Sequence, residues 1–172
     1  MSEGAVAGAG SERVVAIAID GSDNAKYAFD FYTKYVHREN DKVYLVNTIE
    51  INSVLHSTQW YSSPYTFDKE MLIKMLNEEK AKIRHKLEGY AELLKEASID
   101  GIVKSIHAES PGEGIVKAVQ EIDAALVVVG CRGLGRLRRT LMGSVSDYVL
   151  HHVHIPVLIC RHQHDAHHKQ HK

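Results

Sequence analysis

The chain has 172 residues, a formal net charge of −1, 44% apolar and 25% charged residues, and two cysteines. That length supports one domain with a full core, without disulfides or metals. The charge gives no global pull toward nucleic acid or an anionic membrane, and no stretch approaches the ~18 consecutive apolar residues of a membrane span.

Residues 1–12 are small and polar and read as a loose arm, lacking the basic segment and apolar core of a signal peptide. With Cys131 and Cys160 read as free thiols of a reducing compartment, the expected location is cytoplasmic. VVAIAID (Val14–Asp20) is a β-branched, almost continuously apolar run, as suits a strand buried on both faces of a parallel sheet. It ends in Asp20-Gly21-Ser22-Asp23, a turn that also offers helix N-caps. The helix that follows carries Tyr27, Ala28, Phe31, Tyr35 and Val36 at helical spacing.

KVYLVNTI (Lys42–Ile49) reads as the second strand, and residues 50–67, with Pro64, as a long loop of the kind that covers sites. Asp68 to Ala97 is a long amphipathic helix with an apolar stripe of Leu72, Met75, Leu76, Ile83, Leu87, Tyr90 and Leu94. Asp100-Gly101 turns into a third strand, IVKSIHA, and Pro111-Gly112 opens a short helix ending near Glu121-Ile122. ALVVVG (Ala125–Gly130) is the fourth strand, a helix follows from about Gly143 to His152, and Pro156-Val157-Leu158-Ile159-Cys160 is the fifth strand. Residues 161–172 are a polar, His-rich tail, read as disordered; a weak metal-binding role is the alternative.

Strands alternating with helices imply a doubly wound α/β domain with a mostly parallel sheet. Ligands of such folds sit beyond the carboxyl ends of the strands, where strand order reverses. The two ligand-like turns, Asp20-Gly21-Ser22 and the stretch GCRGLGRLRRTLMGS (Gly130–Ser144), both lie at such ends. They face one ligand only if strands one and four are neighbours.

The glycine-arginine stretch fails two common motifs. Gly130 and Gly135 have P-loop spacing, but Arg136 and Leu137 stand where Lys and Ser or Thr are needed for phosphates and magnesium. Gly133 and Gly135 begin a dinucleotide fingerprint, but Arg138 stands at the third glycine's place and the stretch follows the wrong strand. What remains is Gly130-x2-Gly133-x9-Gly143-Ser144. Glycines let a ligand approach bare backbone, and the free N–H groups and dipole of a helix starting at Gly143-Ser144 attract anions. The competing reading is a plain turn followed by a capped helix.

This spacing after a fourth strand, followed by Val145 and a Pro-Val strand, resembles the ATP-binding branch of the universal stress protein family. The segment VVVGCRGLGRLRRTLMGSVSDYVLHHVHIPVLI is similar to the family's carboxyl-terminal third, and the likeness covers about residues 13–160. The resemblance implies a five-stranded parallel sheet in the order 3-2-1-4-5 flanked by four helices, with strand one beside strand four. It implies an adenine nucleotide (ATP, AMP or ADP) as ligand, with magnesium as a possible companion. Ala18, Ile19 and Asp20 would lie beside adenine and ribose, and Thr48 would reach the adenine edge through its backbone. Val129 and Gly130 would line the ribose; Gly133, Gly143, Ser144 and Val145 would hold phosphates, with Arg132 adding charge. It also implies a homodimer pairing through Val157, Leu158 and Ile159, since an apolar edge strand needs a partner or a cover. Ala18, Thr48 and Cys131 depart from the family's common Pro, Val and Ser, which backbone contacts tolerate.

The cluster Arg132, Arg136, Arg138 and Arg139 either attracts phosphate or solvates a loop; aromatic interleaving is missing, which argues against nucleic acid. Asp20 has no second carboxylate tied to it, and the magnesium constellation of hydrolases is missing. The expected function is therefore nucleotide-dependent switching in a stress response without catalysis. Slow ATP hydrolysis in the same pocket and a partner-binding scaffold with a vestigial pocket are the alternatives.

Overall fold

The computed structural model describes residues 12–50, 69–131 and 143–161, apart from the side chains of Met71 and Leu72. The elements are β1 (Arg13–Ala18), α1 (Asp23–Tyr35), β2 (Asp41–Glu50), α2 (Lys69–Glu96), β3 (Gly101–Ala108), α3 (Pro111–Glu121), β4 (Leu126–Cys131), α4 (Ser144–His152) and β5 (Val157–Arg161). The five strands form one parallel sheet in the order β3-β2-β1-β4-β5, the doubly wound α/β arrangement expected from the alternation. Strand order reverses between β1 and β4, the neighbours that the two ligand-like turns require.

Both faces of the sheet are buried, which is why β1 and β4 are apolar without alternation. Val15, Ile17, Ile19, Val43, Leu45, Val128 and Cys160 meet α1 and α2 on one face. Ala16, Ala18, Val46, Ile106, Val127 and Val129 meet α3 and α4 on the other. Helix starts follow the capping residues: Ser22 Oγ accepts from Ala25 N–H at 3.2 Å, and Ser110 Oγ accepts from Glu113 N–H at 3.4 Å ahead of Pro111.

Two amphipathic stripes differ from expectation. In α1 the buried face is Ala25, Ala28, Phe29 and Tyr32. Tyr27 and Phe31 pack only partly, and Tyr35 is 65% exposed. A second apolar ridge, Tyr27–Phe31–Tyr35, runs beside the true core face with ring centroids 6.3 and 5.0 Å apart; spacing alone cannot rank two adjacent ridges. Among the described side chains of the expected α2 stripe, only Tyr90 and Leu94 are buried, and Leu76 is exposed. Helix α2 has 28 residues, roughly 42 Å at 1.5 Å per residue, which is longer than the strands it covers.

At the amino ends of β1 and β2, Arg13 grips Asp41 through two hydrogen bonds of 2.7 and 2.6 Å. Tyr32 Oη and the Arg38 N–H also donate to that carboxylate, at 2.6 and 2.9 Å. This clasp joins β1, β2 and α1 at the end of the sheet opposite the ligand-like turns.

Candidate functional site

The candidate site is at the carboxyl ends of β1, β2 and β4. The pairing of β1 with β2 ends at Ala18 with Val46, after which Ile19 N–H donates to Val46 O at 2.8 Å. Strand β2 continues to Glu50, paired with β3. Thr48 therefore stands past the end of β1, level with Asp20. Its side chain turns toward α3: Oγ1 donates to Pro111 O at 3.3 Å, and the Thr48 methyl lies 2.5 Å from where a Gly114 Cβ would be. Thr48 accordingly has only its backbone to offer a ligand on the β1 side.

Asp20 is exposed, and its carboxylate accepts the Ser22 N–H at 2.8 Å. Between them Gly21 takes φ +89°, a backbone state that favours glycine. Ala18 and Ile19 are buried behind this turn and Val129 is buried in β4.

Gly130 has a packing role that motif spacing does not reveal. A Cβ there would collide with the backbone of Asn24, lying 2.6 Å from its carbonyl carbon and 2.9 Å from the Ala25 nitrogen. Its missing side chain admits the first turn of α1. Gly143 behaves differently. As N-cap of α4 it has φ −63° and ψ 147°, open to any residue, and it makes no side-chain cap bond. Among the described residues a Cβ there would meet Ser146 Oγ at 3.5 Å and Cys131 Sγ at 3.9 Å, ordinary contacts. Neither its backbone nor its packing against the described residues demands glycine at 143.

The start of α4 is fixed from below. Gly143 N–H donates to Cys131 Sγ at 3.4 Å, and Ser146 Oγ and Asp147 N–H both donate to Gly143 O at 2.9 Å. Ser146 thus supplies the structural hydroxyl, while Ser144 is exposed and Val145 half-buried. The amino terminus of α4 stands over the end of β4, next to β1 and its Asp20 turn. Its free N–H groups and dipole suit an anion. Arg132 and Gly133 lie outside the described residues, as do Arg136, Arg138, Arg139, the 51–67 part of the expected loop, and both termini.

Among the described residues, four buried side-chain oxygens near this end have no hydrogen-bond partner: Asn24 Oδ1, Asn47 Oδ1, Tyr90 Oη and Ser105 Oγ. Burial, with the nearby charge of Asp20, pushes the Tyr90 hydroxyl up to about 12. Sequence reading singled out none of these oxygens, although Asn47 signals itself as a polar residue on the core side of an apolar strand.

The two thiols occupy opposite faces. Cys160 belongs to the α1/α2 core, whereas Cys131 touches α4. Neither forms a disulfide, and facing opposite ways they cannot act as a redox pair. Among the described residues no three His, Cys, Asp or Glu side chains group to hold a metal ion, and no helix is long and apolar enough to cross a membrane.

A parallel sheet of this order, flanked by helices on both faces, defines a doubly wound α/β domain. The model of the universal stress protein family matches residues 12–161. A relative from Staphylococcus aureus strain USA300, whose name places it in the same family, is 30% identical over 148 residues, covering 86% of this chain and 82% of its own. The chain belongs to the universal stress protein family. Among solved structures, a family member from Arabidopsis thaliana with AMP bound superposes with TM-score 0.61 at 22% identity, covering 89% of this chain and 94% of that one. A universal stress protein in complex with cAMP gives TM-score 0.58 at 21% identity, covering 87% and 97%. At these identities the superpositions establish the shared fold.

Proposed function

We propose that this protein binds an adenine nucleotide, ATP in its working state, and acts as a non-catalytic switch in a stress response. The observation that carries the reading is Gly143. It caps α4 in a conformation any residue could adopt, with room for a side chain among the described residues. A phosphate approaching the α4 amino terminus supplies the missing reason for a glycine. Relatives with AMP and cAMP bound support adenine as the base.

In this reading Ala18, Ile19 and Asp20 flank adenine and ribose, with the Thr48 backbone at the base edge. Val129 and Gly130 line the ribose through their backbone, and Gly133, Gly143, Ser144 and Val145 hold phosphates beside Arg132. Magnesium arrives on the phosphates. Asp20 shapes its turn by holding the Ser22 N–H, a binding role rather than that of a hydrolytic base. Two copies pair through Val157, Leu158 and Ile159 on the free edge of β5, and ATP favours one oligomeric state.

Thermal melts of nucleotide-stripped protein test the reading. A ligand at 100 times its Kd stabilises by about 2.7 kcal/mol, so ATP and AMP raise Tm by several degrees and GTP does not. Equal melts with and without ATP at millimolar concentration contradict it.

A further inference from the structure

Helix α1 carries a second apolar ridge that the core leaves partly uncovered. Tyr27 and Phe31 are half-buried and Tyr35 is 65% exposed, with the rings in a row at centroid spacings of 6.3 and 5.0 Å. The ridge lies roughly 100° around the helix from the buried face of Ala25, Ala28, Phe29 and Tyr32. Helix α1 packs over β4 and β5. With the right-handed crossovers of a doubly wound sheet, the ridge points away from α2 and toward the free edge of β5. Tyr27, Phe31 and Leu158 accordingly fringe the same core. The heights match as well. Asn24 stands against Gly130, which pairs with Cys160. Four residues down the helix and two down the strand are both about 6 Å, so Ala28, between Tyr27 and Phe31, stands level with Leu158.

We infer that this ridge is the second half of a homodimer interface, packing against its mate on a second copy of the chain across the β5 edge. This rests on the proposed edge pairing through Val157, Leu158 and Ile159 and extends it. A five-residue edge strand supplies only a fraction of the roughly 800 Å² that each partner of a stable complex buries, so the edge needs further contact beside it. A twofold axis normal to the sheet pairs β5 with β5 antiparallel. It leaves both α1 helices on one face of the joined sheet, running antiparallel with their ridges opposed. With the axis at Leu158, the centre of the paired segment, Phe31 comes opposite Tyr27 of the partner subunit. Aromatic residues are favoured in the middle of such interfaces and charges at their rim. The rim charges complement each other in this register: exposed Lys34 stands level with Asp23 of the partner subunit. Within one chain Lys34 and Asp23 are about 16 Å apart along α1, too far to pair.

Sedimentation velocity on the full chain over a range of concentrations provides the test. The parent dimerises and Ile159→Lys is monomeric. Phe31→Gln weakens the dimer roughly ten-fold and Tyr35→Gln about three-fold. Lys34→Asp sets like charges face to face at both ends of the α1 pair and weakens the dimer about five-fold. Adding Asp23→Lys to it restores the affinity to within about two-fold of the parent. Tyr35, Lys34 and Asp23 are exposed, so their variants fold even where Phe31→Gln does not. A double variant that dimerises no better than Lys34→Asp alone overturns the antiparallel ridge contact. Folded Phe31→Gln and Tyr35→Gln proteins that dimerise within about two-fold of the parent overturn it too, while dissociation by Ile159→Lys leaves the edge pairing standing. A monomeric parent overturns the edge pairing and the ridge contact together.

Discussion

The backbone N–H of Gly143 donates to the Sγ of Cys131 at 3.4 Å, tying the start of α4 to the end of β4. The thiol thereby positions the proposed phosphate site without touching the ligand. Cys131→Ser offers a stronger acceptor and should keep AMP affinity within about two-fold of the parent. Cys131→Val fills similar volume but leaves the Gly143 N–H without this acceptor, and should weaken AMP about five-fold, or ~1 kcal/mol. Calorimetric titration of the two variants side by side checks the difference.

Gly130 and Gly143 belong to one sequence motif yet should respond oppositely to alanine. Gly130→Ala drives a methyl into the Asn24 backbone and should cost about 2–3 kcal/mol of stability. Gly143→Ala fits between Ser146 and Cys131, so stability should stay within about 0.5 kcal/mol while ATP affinity falls. Urea unfolding and calorimetry on both proteins separate the effects; equal losses of stability would refute the assignment.

Acid should open the clasp at the far end of the sheet. Burial pushes the Asp41 carboxyl up, but hydrogen bonds from Arg13, Tyr32 and the Arg38 N–H outweigh it and hold the carboxyl down at about 2, below its ordinary 3.8. A depressed folded-state value means the contribution is complete above the ordinary value and is lost as pH falls from about 4 toward 2. Asp41→Asn should flatten the stability profile in that window. At pH 7 it should cost about 3 kcal/mol, because Arg13 is left without its partner. Urea midpoints between pH 2 and 7 provide the comparison, and parallel profiles for parent and variant would contradict it.

Ile159 is half-buried on β5, at the free edge of the sheet. If two copies pair there, Ile159→Lys should shift the protein from dimer to monomer in sedimentation velocity while nucleotide binding survives, since the site is at the strand ends. A monomeric parent would rule out the edge pairing.

Much of this was legible in the sequence because the elements obey local rules. Apolar, β-branched Val14–Ile19 and Leu126–Val129 announced strands buried on both faces, Ser22 and Ser110 announced helix starts, and Gly143-Ser144 marked the amino terminus of α4. What stayed hidden depends on tertiary contact. The role of Gly130 is set by the backbone of α1, which no local pattern encodes. The buried face of α1 is not evident from spacing, because Tyr27, Phe31 and Tyr35 keep helical spacing on a neighbouring ridge. Nor does the apolar stripe of α2 show where burial ends, because periodicity does not reveal how far a helix outruns its sheet.

The most direct test of the central claim is titration of ATP and AMP into nucleotide-stripped full-length protein, with Gly143→Asp alongside. The account predicts saturable binding of about one nucleotide per chain, tighter than roughly millimolar, abolished when the aspartate sets a negative charge at the α4 amino terminus where phosphate would lie. No binding at millimolar nucleotide, or binding unchanged in a folded Gly143→Asp protein, would contradict it.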